Sequence, residues 1–214
     1  MTGGAGPDRT DSAAAGGRIL VVKLGALGDF IQALGPAAAI RNHHPAAEIT
    51  LLTTAPFADL GRAAPWFDRV WLDERPPWHR PGAWLALRRR LRGAGFSRVY
   101  DLQTSDRSAF YFRLLGPGRR PEWSGIAPGC SHPHDNPARD SMHTMERQAE
   151  QLAMAGIAET PPPDFAWLDG NITEFALGAA PFVLLVPGGA AHRPDKRWPA
   201  ESYGALAAAL ARRG

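Results

Sequence analysis

The stretch Ile19-Leu-Val-Val-Lys-Leu-Gly-Ala-Leu-Gly-Asp-Phe30 decides how the 214-residue chain is read. Ile19 to Val22 are all aliphatic, with no turn former among them. Such a run predicts a strand buried on both faces, as in a parallel sheet covered by helices. Gly25 and Gly28 follow, and Asp29 opens a helical pattern through Ile31, Leu34, Ala38 and Ile40. Strand, glycine turn and helix together aim backbone N–H groups at the crevice beyond the strand's carboxyl end. Asp29 is thereby placed at that crevice, as a helix cap or as a chemical group. Gly25 is expected to take a positive φ, and Gly28 to permit close approach of helix and strand. The glycine spacing is not the dinucleotide fingerprint G-x-G-x-x-G, and no phosphate-loop lysine motif follows. An NAD-dependent oxidoreductase is disfavoured on that ground, although Glu48 falls near the spacing of its ribose-binding acid.

Working outward, strands and helices alternate. Glu48–Thr53, Arg69–Leu72, Ser97–Leu102 and Pro121–Ile126 read as strands. Pro56–Ala63, the segment around Trp84 to Leu91, and Ser105–Leu115 read as helices between them. The alternation implies right-handed crossovers and a Rossmann-like, doubly wound α/β sheet. Polar residues crowd the end of the fourth strand at Asp101-Leu-Gln-Thr-Ser-Asp-Arg-Ser108. That is where open sheets of this kind place ligands, and Ser105 is also a natural helix cap. Residues 127–143 form a polar loop holding Cys130, His132, His134, Asp135 and His143. Zinc is the sharp alternative there, but the spacing matches no closed ligand set, so a binding loop or lid is expected. Met142, Met145, Ala149, Leu152 and Ala153 then form the buried stripe of a helix that Gly156 ends.

Three prolines at 161–163 mark a stiff linker over residues 161–169. Beyond it, a helix is expected from Asn171 to Leu177 and a second fully buried strand over Phe182–Val186. The turn Pro187-Gly-Gly189 leads to Lys196 and Arg197 and then to a helix from Ala200 to Arg213. A lysine beside backbone N–H groups makes a phosphate cradle. One strand and one helix of about 45 residues lie near the lower limit for an independent core. Residues 170–214 are therefore expected to be the first piece of a second α/β domain, after an N-terminal domain over 18–160. Residues 1–17 are small and polar without an apolar core, and read as a disordered tail.

Composition bounds the rest. Hydrophobic content of 44% suffices for a core, and one cysteine excludes an internal disulfide framework and fits a reducing compartment. The expected location is the cytoplasm. A net charge of +3 hints at anionic ligands, and no dense basic stripe with interleaved aromatics demands nucleic acid. Arg88-Arg89-Arg90 with Arg92 is the one exception, read as a solvated helix face with anionic lipid head groups as the alternative contact.

Lys23-Leu-Gly-Ala-Leu-Gly-Asp29 near the start and Pro187-Gly-Gly189 with Lys196-Arg-Trp-Pro199 later resemble the heptosyltransferases, glycosyltransferase family 9. Asp101-Leu-Gln103 with Arg107-Ser108, and the helix from His143 to Gly156, are similar to the same family, so the resemblance runs over about residues 18–214. It implies a GT-B fold of two Rossmann-like domains facing across a cleft. It implies inverting, metal-independent transfer of a sugar, with no cofactor, from a nucleotide-sugar donor (typically ADP-heptose) to a lipid-linked lipopolysaccharide-core acceptor. Such an acceptor brings peripheral contact with the cytoplasmic face of the inner membrane. The matching position for the catalytic base is Asp29, and for the donor-phosphate lysine Lys196, with Gly188, Gly189 and Arg197 beside it. Ala190 and Ala191 stand where many members carry Ser or Thr, with His192 or Arg193 as replacements. Gln103, Arg107, His132, His134 and His143 are the acceptor-side candidates. The family's later donor motif has no counterpart before Gly214, so the chain alone is expected to transfer sugar very poorly. A non-catalytic binding module of the same family is the competing expectation.

Overall fold

The computed structural model describes residues 16–118, 120–171, 173–175, 177, 182–189 and 194–212. The expected tail falls outside them except for Gly16 and Gly17, and so do Ala190, Ala191, His192 and Arg193. The chain divides into two compact units between Asp169 and Gly170.

In the first unit the aliphatic run forms β1 (Arg18–Val22). Its neighbours are β2 (Glu48–Thr53), pairing Ile19 with Ile49, and β4 (Arg98–Asp101), pairing Ile19 with Arg98. With β3 (Arg69–Leu72), β5 (Glu122–Gly125) and β6 (His132–Pro133), they make one parallel sheet in the order β3-β2-β1-β4-β5-β6. The order reverses between β1 and β4, which defines the switch point of a doubly wound sheet. Side chains alternate across a strand. Ile19 and Val21 therefore join a core with α1 (Leu27–Gln32), α2 (Leu34–His43) and α6 (Thr144–Met154). Leu20 and Val22 join a second core with α4 (Pro81–Gly93) and α5 (Asp106–Leu114). All four are at most 2% exposed, and burying each contributes roughly 1.5–3 kcal/mol.

Several local details depart from the periodicity. The single helix expected from Asp29 is two, broken at Ala33, so that Asp29 lies in the first turn of a six-residue α1. The segment before α3 (Ala58–Ala63) begins as a 3-10 turn at Ala55–Phe57. The polar loop 127–143 contributes the two-residue strand β6 at the sheet edge. Ser105 caps α5, and its side chain and that of Ser108 bond each other's backbone N–H reciprocally. The proline segment crosses α2 at Gly35, where an added Cβ would meet the Pro161 carbonyl oxygen at 2.1 Å. Trp167 then packs edge-on against Trp66, with ring centroids 5.6 Å apart.

The described residues of the second unit form 3-10 turns at Thr173–Phe175 and Pro194–Lys196 and one helix, α7 (Ala200–Ala211). Where a helix was expected over 171–177, Asn171 Oδ1 accepts from the backbone N–H and hydroxyl of Thr173, which favours a turn. The fully buried strand expected over Phe182–Val186 is not formed. Phe182, Val183, Leu184 and Val186 are between 59% and 76% exposed. A strand needs a neighbour for its backbone groups, and among the described residues of this unit none pairs with it. The Val186 carbonyl instead accepts from the Tyr203 hydroxyl at 3.3 Å.

Gly35→Ala should lower the unfolding free energy by about 1–3 kcal/mol, because backbone and not a flexible side chain must give way. Gly82→Ala, with nothing within 4 Å of its Cβ position, should stay within about 0.5 kcal/mol. Urea melts of the two variants check this; equal small effects would contradict the close crossing at Gly35.

Candidate functional site

The crevice at the carboxyl ends of β1 and β4 is built by two loops that hold each other. After Val22, the Lys23 backbone N–H still bonds the Leu52 carbonyl at 3.0 Å, as if β1 continued. The Lys23 side chain turns inward, is 5% exposed, and donates from Nζ to the Leu102 carbonyl at 3.1 Å. Burial pushes its pKa down to about 8, against the opposing pull of the Asp29 and Asp101 carboxylates; Arg147 adds to the lowering. The Leu24 N–H donates to Gln103 Oε1 at 2.8 Å, and the Thr54 hydroxyl donates to the Leu24 carbonyl at 2.9 Å. Gln103, expected on the acceptor side, therefore spends its amide oxygen on clamping the β1 turn.

Gly25 takes φ +129°, as expected, and a Cβ there would meet the Phe57 ring at 2.5 Å. Gly28 differs from expectation: no atom lies within 4 Å of its Cβ position. Its missing side chain leaves open space at the crevice rather than allowing close packing. Asp29, next in sequence, is exposed and makes no side-chain hydrogen bond or ion pair among the described residues; α1 has no side-chain cap. Its proximity to Lys23 shows in the attraction between the two charges.

Asp101 forms the floor. It is fully buried, and Oδ1 accepts from the N–H groups of Gln103 and Thr104 at 3.1 and 3.0 Å. These bonds hold Thr104 at φ +44°, a turn that aspartate side chains support. Asp101 Oδ2 has no partner among the described residues. Burial pushes the carboxyl up to about 6, against those two hydrogen bonds and the Lys23 charge. Helix α6 closes the far side. Gln151 Nε2 donates to the Asp101 carbonyl at 3.0 Å and Gln148 Nε2 to the Leu102 carbonyl at 3.4 Å. His143 caps α6, with Nδ1 accepting from the Met145 N–H at 3.3 Å.

The remaining acceptor-side candidates scatter. Arg107, in the first turn of α5, lies 5.7 and 5.5 Å from the Trp78 and Trp84 rings, with Nη1 buried and without a partner among the described residues. His132, the first residue of β6 and in register with Ser124, turns its ring to Glu122 and Arg98, the first residues of β5 and β4. His134 is 4% exposed, and burial, with the Arg139 charge, holds its ring below the usual histidine pKa. Its Nε2 approaches Glu150 at 3.7 Å, beyond hydrogen-bond distance. His134 is thus withheld from the surface, whereas His132 is half-buried. Among the described residues, no group of three or more His, Cys, Asp or Glu side chains gathers as for a metal ion. Lys23 joins the site without having been among the sequence candidates. A lysine directly after four buried aliphatics was the available signal, since its charge has to be accommodated at a covered strand end.

In the second unit Arg197 donates from Nε and Nη2 to the Gly189 carbonyl at 3.2 and 2.9 Å, closing the turn over Gly188 and Gly189. Lys196 ends a 3-10 turn and is exposed.

Residues 84–214, more than half of the chain, match the model of glycosyltransferase family 9 (heptosyltransferase), and the chain belongs to that family. Its fold is similar to that of a family 9 glycosyl transferase from Veillonella parvula DSM 2008, with TM-score 0.73 and 19% identity, over 92% of this chain and 60% of that one. It is also similar to E. coli heptosyltransferase WaaC with ADP-2-deoxy-2-fluoro heptose, at TM-score 0.62 and 19% identity, over 92% and 66%. E. coli ADP-heptose lps heptosyltransferase II gives TM-score 0.65 and 21% identity, over 92% and 62%. The α/β architecture is thus the GT-B type of these structures, and the chain spans 60–66% of their length. No curated protein matches the chain.

Asp101 predicts a pH signature. The native state holds its proton more tightly than the unfolded chain, with pKa about 6 against 3.8. Its stabilising contribution is full below about pH 4 and is lost as pH rises through about 6. Asp101→Asn keeps an oxygen for the Gln103 and Thr104 N–H groups and removes the titration. Urea melts between pH 4 and 7 should show a flatter pH dependence in this variant than in the parent; parallel curves would contradict the buried, raised carboxyl.

Proposed function

We propose that the full-length protein transfers a heptose from ADP-heptose to a lipid-linked, lipopolysaccharide-core-like acceptor, with inversion at the anomeric carbon. The observation that carries the reading is Asp29: an exposed carboxylate without an ion pair or cap role among the described residues, at the switch point, beside the open space at Gly28. Such a group suits a general base. The acceptor hydroxyl attacks the anomeric carbon as its proton passes to Asp29. The new C–O bond forms while the bond to the diphosphate breaks on the opposite face. Lys196 and the N–H groups of Gly188 and Gly189 meet the charge that grows on the leaving diphosphate, so positive charge comes from the protein. Arg197 braces this turn through the Gly189 carbonyl. His143, at the start of α6, serves the acceptor side. Family membership supports sugar transfer, and the ADP-heptose analogue held by WaaC supports the donor. The proposed location is the cytoplasm.

Steady-state kinetics on the full-length protein test the roles separately. Asp29→Asn should lower kcat by about 100-fold or more and leave the donor KM within about twofold. Lys196→Ala should also raise the donor KM, by about tenfold or more, through loss of a charge-assisted contact. Small and equal effects of the two substitutions would contradict both assignments.

A further inference from the structure

Helix α4 carries charge that the site does not use. Trp84 and Leu91 face the core, and Leu85, Arg88, Arg89 and Arg92 line a shallow groove on the outer face. Among the described residues none of these three arginines forms an ion pair. Two of them are held in place. Arg92 Nη1 donates to the Leu115 carbonyl at 2.9 Å, at the end of α5. The Arg88 guanidinium passes Gly116 so closely that a Cβ there would meet Nη2 at 2.9 Å. In sequence, residues 78–120 contain ten arginines and two aspartates; one of the aspartates is the buried Asp101, and of the arginines Arg98 is paired with Glu122. Apolar surface accompanies the charge. Leu85 is 48% exposed on the groove, and at the start of the helix Trp78 is 62% exposed, stacked on Trp84 at 4.9 Å.

We propose that the outer face of α4 docks this unit on an anionic lipid bilayer, with Arg88, Arg89 and Arg92 among the phosphates and Leu85 in the interface beneath them. Uncompensated guanidinia seek a surface of opposite charge, and each contributes on the order of 1 kcal/mol near an anionic leaflet. Exposed leucine and indole beside arginine match the interfacial layer, where one end of a side chain is apolar and the other wet. A merely solvated helix face would favour lysines and glutamates in i,i+4 pairs, whereas α4 has no acidic residue at all. The docking face needs neither donor nor acceptor, so it stands or falls separately from the sugar-transfer reading.

Vesicle sedimentation of the 214-residue chain tests it without any activity assay. Phosphatidylcholine vesicles containing about 30% phosphatidylglycerol should bring the protein down and pure phosphatidylcholine should not, with binding falling steeply as salt rises. Arg88→Gln with Arg89→Gln should lower the partition coefficient by about tenfold or more. Leu85→Ser, an exposed position that leaves the charge unchanged, should lower it by a further measurable factor. Arg62→Gln with Arg69→Gln, the same loss of charge elsewhere on the unit, should stay within about twofold of the parent. Thermal melts establish that each variant is folded. Binding to anionic vesicles no better than to neutral ones overturns the proposal, and so does equal loss in the two double variants.

Discussion

Strand β1 has neither a free edge nor a free face, so every polar group just beyond it must find a partner in the loops that surround it. Lys23 meets this constraint by reaching the Leu102 carbonyl, Leu24 through Gln103 and Thr54. The same few bonds fix the spacing between the ends of β1 and β4. Everything offered to a ligand at the crevice is mounted on that lashing. Asp29 leaves it on one side, and α6, tied down by Gln148 and Gln151, closes it on the other. An unpartnered buried carbonyl costs about 1–3 kcal/mol, so the polar bonds here are as constraining as the aliphatic packing below them.

Burial acts in opposite directions on the two charged groups of this floor. It lowers Lys23 to about 8 and raises Asp101 to about 6. Both remain mostly charged at pH 7, and each is held there partly by the other. The exposed Asp29 next to them feels a cation that cannot move away, because the Lys23 stem is enclosed. This couples the packing of β1 to the chemistry proposed at its end.

Much of the first unit was legible because its signals are local. The runs at 19–22 and 48–53 became strands at those places, and the Ser105 cap and the positive φ of Gly25 followed from residue type and spacing. The stripe expected on α6 holds only at Leu152: Ala153 is exposed, and Gln148 and Gln151 are buried because they bond the carbonyls at the end of β4. What failed depended on partners distant in sequence. His132-Pro133 has no strand pattern and pairs only because β5 offers an edge. Phe182–Val186 has the pattern and no neighbour among the described residues, so its apolar side chains are exposed. Gly28 and Gly35 look alike in sequence; only the crossing of Pro161 shows that Gly35 is the one at a close approach. The loop histidines resembled ligands, yet one is buried and the other turns its ring to Glu122 and Arg98.

The central claim is that a free carboxylate at the β1–β4 switch point drives a single displacement at a sugar carbon. The most direct measurement is proton NMR of the full-length protein turning over ADP-heptose with a core oligosaccharide acceptor. The account predicts release of ADP together with a glycoside whose anomeric configuration is inverted relative to the donor. A product of retained configuration, or ADP released without any glycoside, would contradict it.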